Sequence, residues 1–158
     1  MSENTKNAQK NYLVLHGPNL NLLGNREPDV YGKRTLNEVN RIIEENAGKL
    51  GVRVECRQSN HEGMLIDWLH EAHETFSGVV YNPAAHTHYS YALRDAIASI
   101  DLDVVEVHLS NINEREGFRS VSVMEEVCVE QISGRGVDSY VDGLAFLVQH
   151  HSSLPSSS

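Results

Sequence analysis

Three short stretches of this chain concentrate side chains able to move a proton or grip an anion. The first runs from His16 to Gly32 and sets Arg26 and Tyr31 among Gly, Pro and Asn residues. A guanidinium brought against a phenol favours the phenolate, which would make Tyr31 a base. A solvated connector held by Gly and Pro turns would carry the same residues, but the length of the stretch and its Arg–Tyr pair favour a lid over a bound ligand. The second stretch, Asn82 to Ser90, contains His86 and His88. Two histidines invite a metal, yet a third ligand is not specified, and His70-Glu71-Ala72-His73 lacks the two intervening residues of a zinc helix. No metal is expected. His86 reads as a surface or interface histidine, while His88 is equally suited to bonding a polar ligand. The third stretch holds Glu106 and His108, two apart on an apparent strand and therefore on one face. A carboxylate there can stabilise an imidazolium, as a general acid requires, or can simply hold a strand end in place. Arg119, shortly after, can bind a carboxylate or a hydroxylated ring, or merely solvate its loop.

The surrounding pattern says where these stretches sit. Tyr12–His16, Val52–Arg57, Gly78–Asn82, Asp103–His108 and Val127–Ile132 read as five strands, several too continuously apolar to have a wet face. Between them, Leu36, Val39, Ile43, Ala47 and Leu50 mark one helix, with Thr35 and Glu38 in a capping-box pattern. Ser59 and Glu62 repeat that pattern before Leu65, Leu69, Ala72 and Phe76. Leu93, Ala96, Ile97 and Ile100 mark a third helix, and Val137, Tyr140, Val141, Leu144 and Val148 a last one. Strands alternating with helices imply βαβ units, a parallel sheet and helices on both faces. Ligands of such sheets bind beyond the carboxyl ends of the strands, where all three stretches fall.

Size and charge narrow the function classes. The 158 residues suit one domain over 11–150, with polar tails at 1–10 and 151–158. A net charge of −9 argues against a nucleic-acid partner without excluding a local basic pocket. No apolar stretch reaches membrane-spanning length, and Met1 to Lys10 lack the hydrophobic region of a signal peptide, so a cytoplasmic protein is expected. Cys56 and Cys128 suit a reducing compartment and offer no disulfide framework.

The blocks Gly17-Pro-Asn-Leu-Asn-Leu-Leu-Gly24, Arg26-Glu-Pro and Tyr31-Gly32 stand first. Asn82-Pro-Ala-Ala with Thr87-His88, Ala92-Leu-Arg-Asp95-Ala, Glu106-Val-His108-Leu-Ser110-Asn111, Arg115 and Phe118-Arg119 follow in order. In this arrangement the chain resembles the type II 3-dehydroquinate dehydratases over residues 12 to 148, and several separated blocks in sequence are more specific than any one motif. The resemblance implies a flavodoxin-like three-layer α/β sandwich with a five-stranded parallel sheet. It also implies a lyase that converts 3-dehydroquinate to 3-dehydroshikimate by anti elimination of water through an enolate. By the same likeness Tyr31 is the base and Arg26 the cation that lowers its pKa. Asn19, through a water, stabilises the enolate oxygen, and His108 is the general acid, kept charged and oriented by Glu106. Asn82, His88 and Arg119 bind ring hydroxyls, and backbone amides near Leu109 and Ser110 hold the substrate carboxylate. Asp95 reaches a neighbouring subunit's site within trimers assembled into a dodecamer. No cofactor is implied. The proposed base is energetically reasonable: lowering a phenol from about 10 to about 7 takes about 4 kcal/mol, which a cation about 4 Å away supplies at an effective dielectric of about 20.

Some positions depart from that pattern. Ser120-Val121-Ser122 follows Arg119 where a His before the Ser is usual, and Glu125, Glu126, Glu130 and Asp142 are acidic where smaller or apolar residues are usual. These bear on the last strand, the last helix and subunit contacts more than on the chemistry. His16 stands where many members have Asn, and its role is open. Two rival readings remain in view. A flavodoxin-like FMN- or phosphate-binding protein would need a Gly- or Ser/Thr-rich loop after the first strand, where Pro18, Asn19 and Leu20 stand instead. An idle scaffold could have lost Arg26, Tyr31 or His108, and all three are present.

Overall fold

Side chains alternate along the first strand, β1 (Asn11–His16), sending Tyr12, Val14 and His16 to one face and Leu13 and Leu15 to the other. All five are fully buried, so both faces of the strand are covered. In the computed structural model, which describes residues 9–25, 29 and 33–153, β1 lies inside a five-stranded sheet. Its partners are β2 (Arg53–Gln58), β3 (Gly78–Asn82), β4 (Val104–His108) and β5 (Glu130–Ser133), in the order β2-β1-β3-β4-β5, every pairing parallel. That order is the flavodoxin-like form of the doubly wound α/β fold, with its switch point between β1 and β3.

Two apolar layers flank the sheet. On one face α1 (Leu36–Leu50) and α4 (Asp138–Ser153) pack Val39, Ile43, Leu144 and Leu147 against Tyr12, Val14, Val80, Val105 and Val107. On the other, α2 (Glu62–Thr75) and α3 (Tyr91–Ser99) pack Leu65, Leu69, Leu93 and Ile97 against Leu13, Leu15, Val79 and Tyr81. The result is the expected three-layer sandwich. The Thr35–Glu38 capping box forms as predicted, and Gly51 closes α1 in the left-handed conformation.

Several element predictions need correction. The Ser59–Glu62 pair makes no capping box: Ser59 Oγ accepts from the His61 amide, and Glu62 instead accepts from the Ser90 hydroxyl. Leu50 ends α1 exposed rather than on its apolar stripe. The last strand starts at Glu130 rather than Val127, because residues 125–127 form a 3-10 turn and Ser122 Oγ accepts from the amides of Met124 and Glu125 just before it. At the end of the chain, α4 continues through Ser153, so His151 belongs to a helix and not to a tail. His151 Nδ1 lies 2.8 Å from Tyr12 Oη and its Nε2 lies 3.0 Å from Asp103. Lys10 likewise is engaged, its carbonyl accepting from the Arg53 amide.

Candidate active site

The carboxyl ends of β1, β3 and β4 open into one pocket that reaches solvent. At the switch point the two central strands are drawn tightly together. The Gly17 amide donates to the Asn82 carbonyl at 2.8 Å, and a Cβ at residue 17 would stand 2.5 Å from the Pro83 carbonyl oxygen. Only glycine allows that approach. Asn19 then takes a left-handed conformation (φ 70°), which asparagine tolerates better than most residues, and it joins the pocket wall. Its backbone amide donates to Asn60 Oδ1 at 2.9 Å.

At the exit of β4, His108 and Glu106 share a face, as the spacing predicts. His108 Nε2 stands 2.6 Å from Glu106 Oε2, so this nitrogen carries the proton and Nδ1 is left for the pocket. Glu106 is wholly buried and yet amply solvated by protein. Its carboxylate also accepts from the Thr87 hydroxyl, from Ser122 Oγ at 2.9 Å and from Gln131 Nε2 at 3.1 Å. Burial pushes its carboxyl up, but the His108 contact, with the Thr87 and Gln131 hydrogen bonds, outweighs this and holds it below the ordinary carboxylate value. A buried anion with four donors is therefore a fixed anchor for the imidazole.

The remaining wall is cationic despite the acidic chain. His88 Nδ1 donates to the Val121 carbonyl at 2.7 Å, which leaves Nε2 as an acceptor facing the pocket. Burial lowers the pKa of His88, and nearby His108, Arg119 and Arg115 lower it further against the opposing Val121 bond. Arg119 lies over the Phe118 ring at 4.9 Å, and Arg115 joins the lining. A pocket with these cations suits a substrate bearing a carboxylate.

Of the site residues expected from sequence, Asn19, Asn82, His88, His108, Leu109, Ser110 and Arg119 come together around this pocket, with Glu106 directly behind His108. Asp95 is exposed on α3 and does not line it. Arg26 and Tyr31 lie outside the described residues. His86, expected at a surface or interface, is 6% exposed, and its Nδ1 has no partner among the described residues. The sequence does not predict the other three partners of Glu106. Gln131 had a legible signal, since it is the cross-strand neighbour of Glu106 in a parallel register. Thr87 and Ser122 had none, because a 3-10 turn after β3 and the loop after Arg119 bring them there. Among the described residues no group of three or more His, Cys, Asp or Glu side chains could hold a metal, and no helix is long and apolar enough to cross a membrane.

A flavodoxin-like sheet with a buried acid–imidazole pair and a cationic wall at its switch point defines an α/β enzyme acting on an anionic small molecule. The comparisons with known proteins make this specific. The profile of the family described as dehydroquinase class II matches residues 10–148. A 3-dehydroquinate dehydratase of Bacillus pumilus (strain SAFR-032) is 56% identical over 137 residues, covering 87% of this chain and 93% of the relative. One from Nostoc sp. (strain PCC 7120 / SAG 25.82 / UTEX 2576) is 57% identical over 138 residues, 87% and 94% of the two chains. The crystal structure of type II dehydroquinase from Butyrivibrio crossotus DSM 2876 superposes with a TM-score of 0.87 at 46% identity, covering 89% of this chain and 98% of that one. The chain belongs to the class II dehydroquinase family.

Proposed function

We propose that this chain dehydrates 3-dehydroquinate to 3-dehydroshikimate as a type II 3-dehydroquinate dehydratase, acting as one catalytic domain. Tyr31, as phenolate beside Arg26, removes the proton next to the ketone. The enolate oxygen is stabilised by Asn19 through a water, and His108 protonates the departing hydroxyl from Nδ1 while Glu106 holds its Nε2–H. Asn82, His88 and Arg119 bind the ring oxygens, and the chain at Leu109 and Ser110 binds the carboxylate. The observation that carries this reading is the His108–Glu106 pair, 2.6 Å apart and buried, opening onto the same pocket as Asn19 and Asn82.

The FMN or phosphate reading is not favoured. The amides that would cradle a phosphate after β1 are already engaged: Gly17 to Asn82, Asn19 to Asn60, Leu20 to Gly17, with Pro18 lacking one.

Mixing the purified protein with 3-dehydroquinate in metal-free buffer is expected to generate the conjugated-enone absorbance of the product. A silent assay refutes the assignment. Tyr31→Phe is expected to abolish turnover with the fold intact. Borohydride is expected to trap nothing, because the route has no Schiff base. The enzyme is further proposed to act in the cytoplasm as trimers assembled into a dodecamer, with Asp95 completing a neighbouring pocket. Light scattering after size exclusion, together with Asp95→Ala kinetics, tests the assembly.

A further inference from the structure

Behind the pocket, on the α1/α4 face of the sheet, four polar side chains run as one line of hydrogen bonds. Asn82 Nδ2 is 2.9 Å from Tyr140 Oη, Tyr140 Oη is 2.8 Å from His16 Nδ1, and His16 Nε2 is 2.7 Å from Asn40 Oδ1. His16 and Tyr140 are fully buried, and Asn82 is 2% exposed. The direction of every bond follows from one backbone group. The Ala84 amide donates to Asn82 Oδ1 at 3.0 Å, so the Asn82 nitrogen is the atom turned to Tyr140. An amide nitrogen only donates, hence Tyr140 accepts there and gives its own proton to His16 Nδ1. His16 is then the Nε2–H tautomer, which donates to Asn40.

We propose that His16 and Tyr140 are positioning residues that lock the Asn82 amide, so that its second N–H is held toward the pocket for an oxygen of the bound substrate. With Oδ1 taken by Ala84, Asn82 offers the pocket a donor and no acceptor. Tyr140 keeps it so, because a flipped amide would turn Oδ1 to Tyr140 and face one N–H to another at Ala84. His16 sets the Tyr140 hydroxyl in turn: burial lowers its pKa to about 4, so at neutral pH Nδ1 is an acceptor. The inference rests on the reading of Asn82 as substrate-binding.

Steady-state kinetics with 3-dehydroquinate test it. Tyr140→Phe is expected to raise KM about tenfold with kcat within about threefold, the size of one misplaced neutral hydrogen bond made equally in ground and transition states. In an Asn82→Ala background the same change is expected to leave KM where Asn82→Ala put it, since there is no amide left to position. Two changes at His16 separate positioning from packing. Asn at residue 16 places Oδ1 near the Nδ1 site and can still accept from Tyr140, whereas Leu fills more of the volume and accepts nothing. His16→Asn is expected to stay near the wild-type KM and His16→Leu to match Tyr140→Phe. The reverse order, or multiplying effects of Tyr140→Phe and Asn82→Ala, overturns the relay, and the His16 pair decides alone if Tyr140→Phe does not fold. An inactive wild type, or Asn82→Ala with unchanged KM, overturns the functional reading and the relay with it.

Discussion

Acid should loosen this protein through His16 in a way that a single substitution removes. The imidazole is wholly buried, its Nδ1 accepting from Tyr140 and its Nε2–H donating to Asn40. Burial lowers its pKa from 6.5 to about 4, against a smaller upward push from the Asn40 bond. The folded pKa lies below the unfolded one, so between these values the unfolded chain binds a proton that the native protein refuses. Stability therefore falls as pH falls through that window. With these two pKa values the loss is about 2 kcal/mol by pH 5 and about 3 kcal/mol by pH 4. Urea unfolding of wild type and His16→Asn at pH 7, 5 and 4, at one protein concentration, measures it. Glu106 adds an acid-side loss as its depressed carboxyl takes up a proton, but it is present in both proteins and cancels. The gap between the two proteins should shift in favour of His16→Asn by those amounts. Parallel pH profiles, agreeing within about 0.5 kcal/mol after the offset at pH 7, would refute the buried neutral histidine.

Four further outcomes are expected. Glu106→Gln removes the charge that anchors His108 and sets an amide against four donors, so kcat should fall by about 10²-fold or more, and a loss under about threefold would show that His108 does not depend on that carboxylate. Gly17→Ala forces a Cβ to 2.5 Å from the Pro83 carbonyl, a backbone group that cannot swing aside, and should cost about 1–3 kcal/mol in urea unfolding together with activity. Gly48→Ala in α1 meets nothing within 4 Å and should instead stabilise by about 0.5–1 kcal/mol, so similar effects at the two glycines would contradict the close approach of β1 and β3. Dialysis against a chelator should leave turnover unchanged, and recovery of lost activity by added divalent metal would count against an all-protein site.

How much of this was legible in the sequence depends on how local each constraint is. Doubly buried strands announce themselves as apolar runs, and the pattern bounds four of the five to within a residue. The fifth is an edge strand of four residues, mostly part-exposed, whose approach is a 3-10 turn, and a run of Val and Cys gave no hint of where turn becomes strand. The same locality divides the site. Glu106 and His108 share a strand face by arithmetic alone, and their contact follows. The four-donor cage around Glu106 depends on where the 3-10 turn carrying Thr87 and the loop carrying Ser122 fold back, which no spacing encodes. Tyr140 illustrates the remaining gap. Its position on a helical apolar stripe marks it as core, and so it is, but a phenol in a core must bond its hydroxyl to something. At the end of β1 where His16 continues the face of Tyr12 and Val14, and at the end of β3 where Asn82 continues that of Val80, the polar partners were already in the sequence. What could not be read was that α4 crosses both strand ends at Tyr140, a fact of helix packing rather than of pattern. A polar residue that continues an apolar strand face at its carboxyl end is thus a cue to seek its partner on the covering helix, where the support of the site is built.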